Sequence, residues 1–231
     1  MTTIKIEGLQ KKYGKFTAVE NSTLQFESGQ FVVFLGPSGC GKTTTLNCLA
    51  GFELPTSGRI IFDDVDVTDL PPHTRNVAMV FQSALLYPHL SAQDNIEMSL
   101  KHSDLSEAEK KTRISETTTM LRVDHLMSKR PGALSGGERQ RVALAKAIVR
   151  QPSVFLMDEP FSALDAALRN SLRAELVHLQ KKLGVTTIFV THDQIEAMTM
   201  GDIIVEMNKG KVEQVGTPDE IYKKPQKKLE T

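Results

Sequence analysis

The stretch Phe31-Val-Val-Phe-Leu35, followed by Gly36-Pro-Ser-Gly-Cys-Gly-Lys-Thr43, decides the fold. An unbroken apolar run of this length predicts a strand that is buried on both faces. The segment after it fits the phosphate-loop pattern G-x-x-x-x-G-K-[ST] without a mismatch. A short helix is predicted to follow, with Leu46 and Leu49 on one side and Gly51 as its stop. Strand, glycine-rich turn and helix in this order favour a phosphate-binding site.

Each residue type in this loop suits the binding of a nucleotide. Glycines let backbone N–H groups turn inward and form a concave anion site, and the helix adds its positive N-terminal end. Lys42 would place a cation between the terminal phosphates, and the Thr43 hydroxyl would be a magnesium ligand. A plain glycine turn has no use for both side chains, so the sequence predicts nucleotide binding.

The segment Val154-Phe-Leu-Met157-Asp158-Glu159 predicts a buried strand that ends in two carboxylates. Asp158 can hold the magnesium through water, and Glu159 can accept hydrogen bonds from an attacking water. General-base help of this kind is usually worth about 10² to 10⁴ in rate. Alone, the segment would be read as a strand with a solvated acidic end. Together with the phosphate loop, it favours a hydrolytic site.

A second anion cradle is predicted at Ser135-Gly136-Gly137-Glu138, where a serine and two glycines open an alanine-rich helix. One nucleotide needs only one phosphate cradle. The economical interpretation is that the second cradle serves a nucleotide held by another copy of the chain.

The rest of the pattern predicts an α/β fold with a mostly parallel sheet covered by helices. Residues 91–150 have a helical pattern, with N-terminal caps predicted at Ser91 and Ser106. A helix with leucines from Leu168 to Leu183 is predicted to end at Gly184. The further predicted elements are strands over 77–81, 187–190 and 203–207 and a hairpin over 208–211.

Composition excludes several classes of protein. The 231 residues carry 28 basic and 28 acidic side chains, whereas proteins that neutralise many nucleic-acid phosphates are strongly basic. The 2 cysteines, Cys40 and Cys48, cannot make a disulfide framework, and the N-terminus lacks a signal-peptide pattern. No apolar run approaches the roughly 20 residues of a membrane span. We therefore expect a cytoplasmic chain with no membrane span and no nucleic-acid partner.

In the order of its motifs, the chain resembles the ATP-binding subunits of ABC transporters over nearly its whole length. Leu134-Ser-Gly-Gly-Glu138 is similar to the ABC signature, with Glu138 where many members carry glutamine. Tyr13 matches the aromatic residue that stacks on adenine, and Gln82 matches the glutamine that links the nucleotide site to the transmembrane subunits. His192 matches the switch histidine, and Ser162-Ala-Leu-Asp165 matches the loop that crosses the dimer interface.

The resemblance implies ATP and Mg²⁺ as cofactors and a complete set of site residues. The implied catalytic residues are Glu159, His192, Lys42 and Gln82, and the implied magnesium ligands are Thr43, Gln82 and Asp158. The implied nucleotide-binding residues are Tyr13, Gly36, Pro37, Ser38, Gly39, Cys40, Gly41, Lys42, Thr43, Thr44, Ser135, Gly136, Gly137, Glu138 and Asp165.

Longer strings resemble one branch of the family, the importers that work with a separate solute-binding protein. They are Phe155-Leu-Met-Asp-Glu-Pro160, Thr191-His-Asp-Gln194 with Glu196-Ala-Met-Thr199, and Gln214-Val-Gly-Thr-Pro218. The maltose, trehalose and glycerol-3-phosphate importer ATPases are the relatives that this implies. The implied function is ATP hydrolysis at a homodimer that drives solute uptake, with carbohydrate as the first expectation. The implied partners are integral membrane permease subunits and, indirectly, a solute-binding protein. The implied location is the cytoplasmic side of the membrane.

Other functions remain open at this point. Polyamine, sulfate and ferric-ion importers share much of the pattern. An ABC ATPase acting on nucleic acid or ribosomes is a more distant alternative. A small-molecule kinase would leave the Ser135 cradle and His192 unexplained.

The resemblance also implies a domain organisation. The expected core, which carries an N-terminal antiparallel β subdomain, spans residues 1–87 and 151–231, and a helical subdomain is inserted at about 88–150. Members of this branch usually continue into a small β-rich regulatory domain, which is absent from this sequence. Because the sequence stops at Thr231, we expect either a shortened chain or a member without that domain.

Overall fold

The structure is a computed structural model that describes residues 2–162, 164 and 166–223. These residues form two compact units, one made of 2–77, 153–159 and 170–223, and the other of 78–152 and most of 160–169. The strands are β1 (Ile4–Tyr13), β2 (Phe16–Phe26), β3 (Phe31–Leu35), β4 (Ser57–Phe62), β5 (Val65–Asp66), β6 (Val77–Val80), β7 (Val154–Asp158), β8 (Thr186–Thr191), β9 (Ile203–Asn208) and β10 (Lys211–Gly216). The α-helices are α1 (Lys42–Ala50), α2 (Ala92–Glu97), α3 (Glu107–Met120), α4 (Gly136–Ile148), α5 (Ala166–Leu183), α6 (Gln194–Met200) and α7 (Pro218–Lys223).

An antiparallel sheet in the first unit has the strand order β2-β1-β4-β5. In the centre of this sheet, Ile6 lies opposite Leu24 on one side and Ile60 on the other. All three side chains are buried. Ile4 and Ile6 therefore alternate with polar residues because they lie on the buried apolar face of this sheet.

The second sheet of this unit contains the strands β10-β9-β3-β8-β7 in that order. β3 pairs in parallel with both β8 and β9, and β8 pairs in parallel with β7. Each residue of Phe31–Leu35 is buried, which confirms the strand predicted from the apolar run. Because β3, β7 and β8 are parallel, their carboxyl ends meet at one edge of the sheet, where open α/β sheets bind ligands.

The helices and turns that flank this sheet follow local signals in the sequence. α1 ends at Gly51, which has a left-handed backbone with φ 81°. α5 ends before Gly184, with φ 63°, and its Leu172, Leu176 and Leu179 are buried. The predicted hairpin joins β9 to β10. The α/β fold class predicted from the sequence is confirmed.

The second unit contains α2, α3 and α4. Each of these helices begins with a capping box. The side chain of Ser91, Ser106 or Ser135 accepts a hydrogen bond from the amide at the third helical position, and the carboxylate at that position accepts one from the serine amide. The caps predicted at Ser91 and Ser106 are thereby confirmed. The boundaries of the helical subdomain stay a prediction.

Among the described residues, no helix combines the length and the apolar character that crossing a membrane requires.

Candidate functional site

The phosphate loop follows β3 directly and leads into α1, as the sequence predicts. Two of its glycines lie so close to other backbone that no side chain fits. A Cβ atom on Gly36 would come within 2.1 Å of the Met207 carbonyl oxygen. On Gly41, whose φ is 106°, it would come within 2.4 Å of the Ala18 carbonyl oxygen. The glycine pattern is therefore required by the close approach of β2 and β9 to the loop.

The N-terminus of α1 has no side-chain cap, in contrast to the capping boxes of α2, α3 and α4. The first N–H groups of a helix lack intrahelical partners. In α1, the Thr45 amide is the first to bond back, to the Gly41 carbonyl oxygen at 2.9 Å. The amides of Lys42, Thr43 and Thr44 are thus oriented donors at the positive end of the helix dipole, an arrangement that suits a phosphate.

Lys42 is buried, and its ammonium group turns back onto the loop. The Nζ atom donates to the carbonyl oxygens of Gly36 at 2.6 Å and Pro37 at 2.9 Å. Pro37, Ser38 and Gly39 are exposed, whereas Cys40 is buried. Two of the three N–H donors of the ammonium group therefore serve the loop carbonyl oxygens in this structure.

Thr43 and Asp158 lie together at the loop and at the end of β7, although 115 positions separate them in the chain. The Thr43 hydroxyl donates to Asp158 Oδ1 at 3.0 Å. Burial raises the pKa of the Asp158 carboxyl, and the hydrogen bond from Thr43 opposes that rise. A hydroxyl and a carboxylate are the hard oxygen donors that Mg²⁺ prefers when phosphates and waters complete its shell. The pair fits the predicted ion.

Glu159 and His192 also meet at this sheet edge. Glu159 Oε2 lies 3.1 Å from Nδ1 of His192. The Glu159 backbone is left-handed, with φ 44°, and its N–H donates to the Val190 carbonyl oxygen at 3.0 Å. The His192 side chain is 56% exposed, so it reaches solvent while it touches the carboxylate. A carboxylate paired with an imidazole can orient and deprotonate a water molecule.

Tyr13 ends β1 and is 46% exposed, as a residue that stacks on a base must be. The Lys11 Nζ atom lies 5.0 Å from the centre of its ring. Lys11 in turn forms an ion pair with Glu53 at 2.6 Å. Burial raises the pKa of the Tyr13 hydroxyl, and one face of the ring is covered by a cation.

The remaining predicted site residues lie in the second unit or outside the described residues. Gln82 is exposed and follows β6, and Gly136, Gly137 and Glu138 form the first turn of α4. Ser135 Oγ accepts from the Glu138 amide at 3.2 Å, and Glu138 Oε2 accepts from the Ser135 amide at 2.7 Å. The bond from Ser135 lowers the pKa of the Glu138 carboxyl. Asp165 lies outside the described residues.

Sequence reasoning missed the side chains that support these residues. Lys11 and Glu53 flank Tyr13, and Thr191 and Glu196 flank His192. The string Glu196-Ala-Met-Thr199 supports only the family resemblance in the sequence, which predicts no role for the Glu196 carboxylate. The contacts of Lys11 with Glu53 and of Thr191 with Glu196 join separate elements, so no spacing along one element signals them. Lys11 and Tyr13 both lie in β1, but nothing in the sequence marks their contact as functional.

Residues 19–162 match the protein-family model described as ABC transporter. The trehalose/maltose import ATP-binding protein MalK of Thermococcus litoralis is 52% identical over 231 residues, which cover 97% of this chain and 62% of that protein. The sn-glycerol-3-phosphate import ATP-binding protein UgpC 1 of Rhizobium johnstonii is 52% identical, with 97% and 61% covered. The spermidine/putrescine import ATP-binding protein PotA of Bacillus cereus is 48% identical, with 96% and 68% covered. The chain spans just under two thirds of the length of the first two relatives.

Solved structures share this fold. CbiO1 of Clostridium perfringens, described as part of an ABC transporter complex, aligns with a TM-score of 0.88 and 29% identity, covering 95% of this chain and 90% of that one. The dimeric bacterial ABC transporter cassette MJ0796 aligns with a TM-score of 0.82 and 32% identity, covering 93% and 98%. The same cassette is described in a post-hydrolysis dimeric state bound to ADP and Pi.

Proposed function

Because this chain belongs to the ABC transporter family, we propose that it is the ATP-binding and hydrolysing part of an importer, which couples Mg-ATP hydrolysis at a two-copy interface to uptake of a carbohydrate. The observation that carries the proposal is the meeting of Thr43 with Asp158 and of Glu159 with His192 at one edge of the parallel sheet. The first pair fits the magnesium ligands of a phosphate-loop ATPase, and the second pair fits a group that positions and activates water.

In this proposal the nucleotide binds at the N-terminus of α1. Its phosphates accept hydrogen bonds from the orphan amides of Lys42, Thr43 and Thr44. Lys42 leaves the carbonyl oxygens of Gly36 and Pro37 and turns its ammonium group toward the terminal phosphates. The adenine stacks on the face of Tyr13 that Lys11 leaves open.

Hydrolysis depends on Glu159 and His192. Glu159 accepts a hydrogen bond from the attacking water and takes its proton, and His192 holds the carboxylate through the 3.1 Å contact. When both ring nitrogens of His192 carry a proton, Nδ1 donates to Glu159 and Nε2 can donate to the terminal phosphate. Thr43 and Asp158 would hold Mg²⁺, which supplies positive charge against the phosphate oxygens. For Gln82, in the second unit, the roles of a further ligand and of the link to the permease stay predictions from the sequence.

A second copy would complete each site. Because the Ser135 oxygen already accepts from the Glu138 amide, its hydroxyl proton is the part that can donate to a phosphate. The amides of Gly136 and Gly137 in the first turn of α4 are further donors. The dimeric state of the MJ0796 cassette supports a site that two copies complete together.

The names of the relatives support carbohydrate as the solute. Two proteins at 52% identity are named for import of trehalose/maltose and of sn-glycerol-3-phosphate. A spermidine/putrescine import protein at 48% identity makes a polyamine importer the alternative. Integral membrane permease subunits, docked around residues 82–89 on the cytoplasmic side, and a solute-binding protein complete the proposed assembly.

Two substitutions test the nucleotide site. We expect Lys42→Ala to lose most affinity for ATP in a titration, because the cation facing the phosphates is gone. Glu159→Gln should keep that affinity and lose turnover. The matched control, Lys181→Ala, removes an exposed lysine near the end of α5 and should titrate like the parent chain. An unchanged titration for Lys42→Ala, or full turnover for Glu159→Gln, would remove that residue from its role.

A reconstituted transporter tests the solute. The chain would be purified with the permease encoded beside its gene, placed in vesicles with the partner solute-binding protein, and supplied with ATP. We expect uptake of labelled maltose or trehalose to depend on ATP and on Glu159. ATP-dependent uptake of spermidine in place of sugar would establish the polyamine alternative.

A further inference from the structure

Glu196 is a buried carboxylate that the proposed mechanism does not use. It lies in α6 and is only 4% exposed. Its Oε2 atom accepts a hydrogen bond from the Thr191 hydroxyl at 2.6 Å. Burying an ionised carboxylate is costly unless it is paired and hydrogen-bonded, so the partners of Glu196 decide whether the position is tolerated.

The contact to Thr191 leads directly to His192. Thr191 is the last residue of β8, and its Oγ1 atom also accepts from the Asp193 amide at 3.0 Å. Asp193 Oδ1 accepts in turn from the amides of Ile195 at 2.7 Å and Glu196 at 3.2 Å. The turn that carries His192 is therefore fixed on both sides by hydrogen bonds that converge on Thr191 and α6.

Glu196 is also held from a second element. Its Oε1 atom lies 3.9 Å from Nε of Arg173 in α5, and the two side chains are 6% and 13% exposed. The hydrogen bond from Thr191 and the ion pair with Arg173 both favour this orientation of the Glu196 carboxylate. In this orientation the carboxylate favours the rotamer in which the Thr191 hydroxyl donates to it.

We propose that Glu196 is a positioning residue for hydrolysis: through the Thr191 hydroxyl it fixes the turn at His192 and so sets the contact between the imidazole and Glu159. This inference rests on the proposed function. Glu196 touches neither water nor nucleotide in this scheme. Its role is to keep His192 Nδ1 at the 3.1 Å separation from Glu159 Oε2, since small displacements of catalytic groups cost rate steeply.

Substitutions at Thr191 separate positioning from bulk stability. Thr191→Val keeps the shape of the side chain but removes the hydroxyl, whereas the matched Thr191→Ser keeps the hydroxyl. We expect Thr191→Val and Glu196→Gln each to lower kcat about 10-fold or more, with KM for ATP changed less than about 2-fold because nucleotide binding does not use them. Thr191→Ser and the exposed control Glu116→Gln should retain the parent kcat. Equal loss in Thr191→Ser and Thr191→Val would overturn the inference.

A double substitution tests whether Glu196 affects hydrolysis through His192. In a chain that already carries His192→Ala, we expect Glu196→Gln to produce no further loss of kcat, because the group that it positions is gone. Fully additive losses would show that Glu196 acts elsewhere and would overturn the inference. The parent rate and the effect of His192→Ala alone test the proposed function. A failure of the proposed function can therefore be told apart from a failure of the inference about Glu196.

Magnetic resonance spectra test the positioning of His192 without a measurement of ATP hydrolysis. The imidazole resonances of His192, assigned by their loss in His192→Ala, would be recorded in the nucleotide-free chain. We expect Glu196→Gln and Thr191→Val to shift them and Thr191→Ser and Glu116→Gln to leave them in place. Resonances that stay unmoved in Glu196→Gln would overturn the inference even if ATP hydrolysis fell.

Discussion

At the scale of single residues, Gly41 allows the phosphate loop to pass close to β2. A Cβ atom there would lie 2.4 Å from the Ala18 carbonyl oxygen, and the backbone is left-handed at φ 106°. Gly39 is also left-handed, at φ 77°, but a Cβ atom there would meet nothing within 4 Å. A side chain at Gly39 would therefore meet backbone strain alone, whereas a side chain at Gly41 would meet both strain and steric overlap.

We expect Gly41→Ala to destabilise the nucleotide-free chain by about 3 kcal/mol or more, because overlap adds to the strain of a left-handed alanine. Gly39→Ala, which has the strain alone, should cost about 1 kcal/mol. Chemical denaturation in the absence of nucleotide measures both. Equal losses would contradict the close approach of β2 to the loop.

Asp158 illustrates a conflict between function and stability at the same scale. Burial raises the pKa of its carboxyl above the ordinary 3.8, so the folded chain binds this proton more tightly than the unfolded chain does. Stability contributed by Asp158 therefore falls as the pH rises from 3.8 through the raised pKa. At neutral pH the ionised group reduces the free energy of unfolding.

Asp158→Asn should raise the free energy of unfolding at pH 7 and abolish magnesium-dependent ATP hydrolysis. The amide oxygen can still accept from Thr43, so the packing is kept. We expect the gain in stability to shrink as the pH falls toward 3.8. Urea unfolding across that range, with the exposed Asp104→Asn as control, measures it. A loss of stability at pH 7 would show that burial does not disfavour the charge.

The sequence predicted many site residues at this scale but not their partners. The phosphate-loop pattern is contiguous, so the placement of Gly36 to Gly41 between β3 and α1, with Lys42 and Thr43 at the start of α1, could be read from spacing. The contact of Glu159 with His192 joins positions 33 apart. Its geometry depends on the pairing of β7 with β8, which spacing along one strand does not determine.

At the scale of elements, α1 is closed at its C-terminus by a side chain from elsewhere. Arg75 is 3% exposed. Its guanidinium donates to the carbonyl oxygens of Cys48 at 2.7 Å and Leu49 at 3.0 Å, in the last turn of α1. It also donates to those of Leu70 and Thr68, both at 2.8 Å. One buried cation thus satisfies carbonyl groups of a helix end and of a loop.

Arg75→Met should lower the free energy of unfolding by about 3 kcal/mol or more, because several buried carbonyl groups lose their donor at once. The matched control, Arg59→Met, removes an exposed partner of Glu7 and should cost less than about 1 kcal/mol. Urea unfolding measures the difference. Similar costs for the two variants would contradict the assignment of Arg75 as the cap of α1.

Caps that lie next to their helix were predictable, including Gly51 at the end of α1, whereas the hydrogen bonds from Arg75 to that end were not. Ser91 and Ser106 stand directly before their helices, three residues from Asp94 and Glu109, so the capping box is visible in the sequence. Arg75 lies 27 positions beyond Cys48. The strands β4 and β5 were also missed, because they have only a few apolar residues, Ile60, Ile61, Phe62 and Val65.

At the scale of the whole molecule, the parallel sheet assembles the site. Alternation of strands and helices predicted the fold class, which the structure and the related cassettes confirm. The order β10-β9-β3-β8-β7 could not be predicted, because buried apolar strands carry no signal for their neighbours. That order places the ends of β3, β7 and β8 side by side and so brings the loop, Asp158 and His192 together.

The central claim is that two copies of the chain enclose ATP and that Glu159 then drives its hydrolysis. Sedimentation equilibrium of Glu159→Gln with and without Mg-ATP tests it most directly. The chain has a mass of 25.6 kDa, and we expect this mass without nucleotide and twice this mass with it. Adding Ser135→Phe, which blocks the second cradle, should restore the single mass in the presence of ATP. A mass that does not respond to ATP in Glu159→Gln would contradict the account.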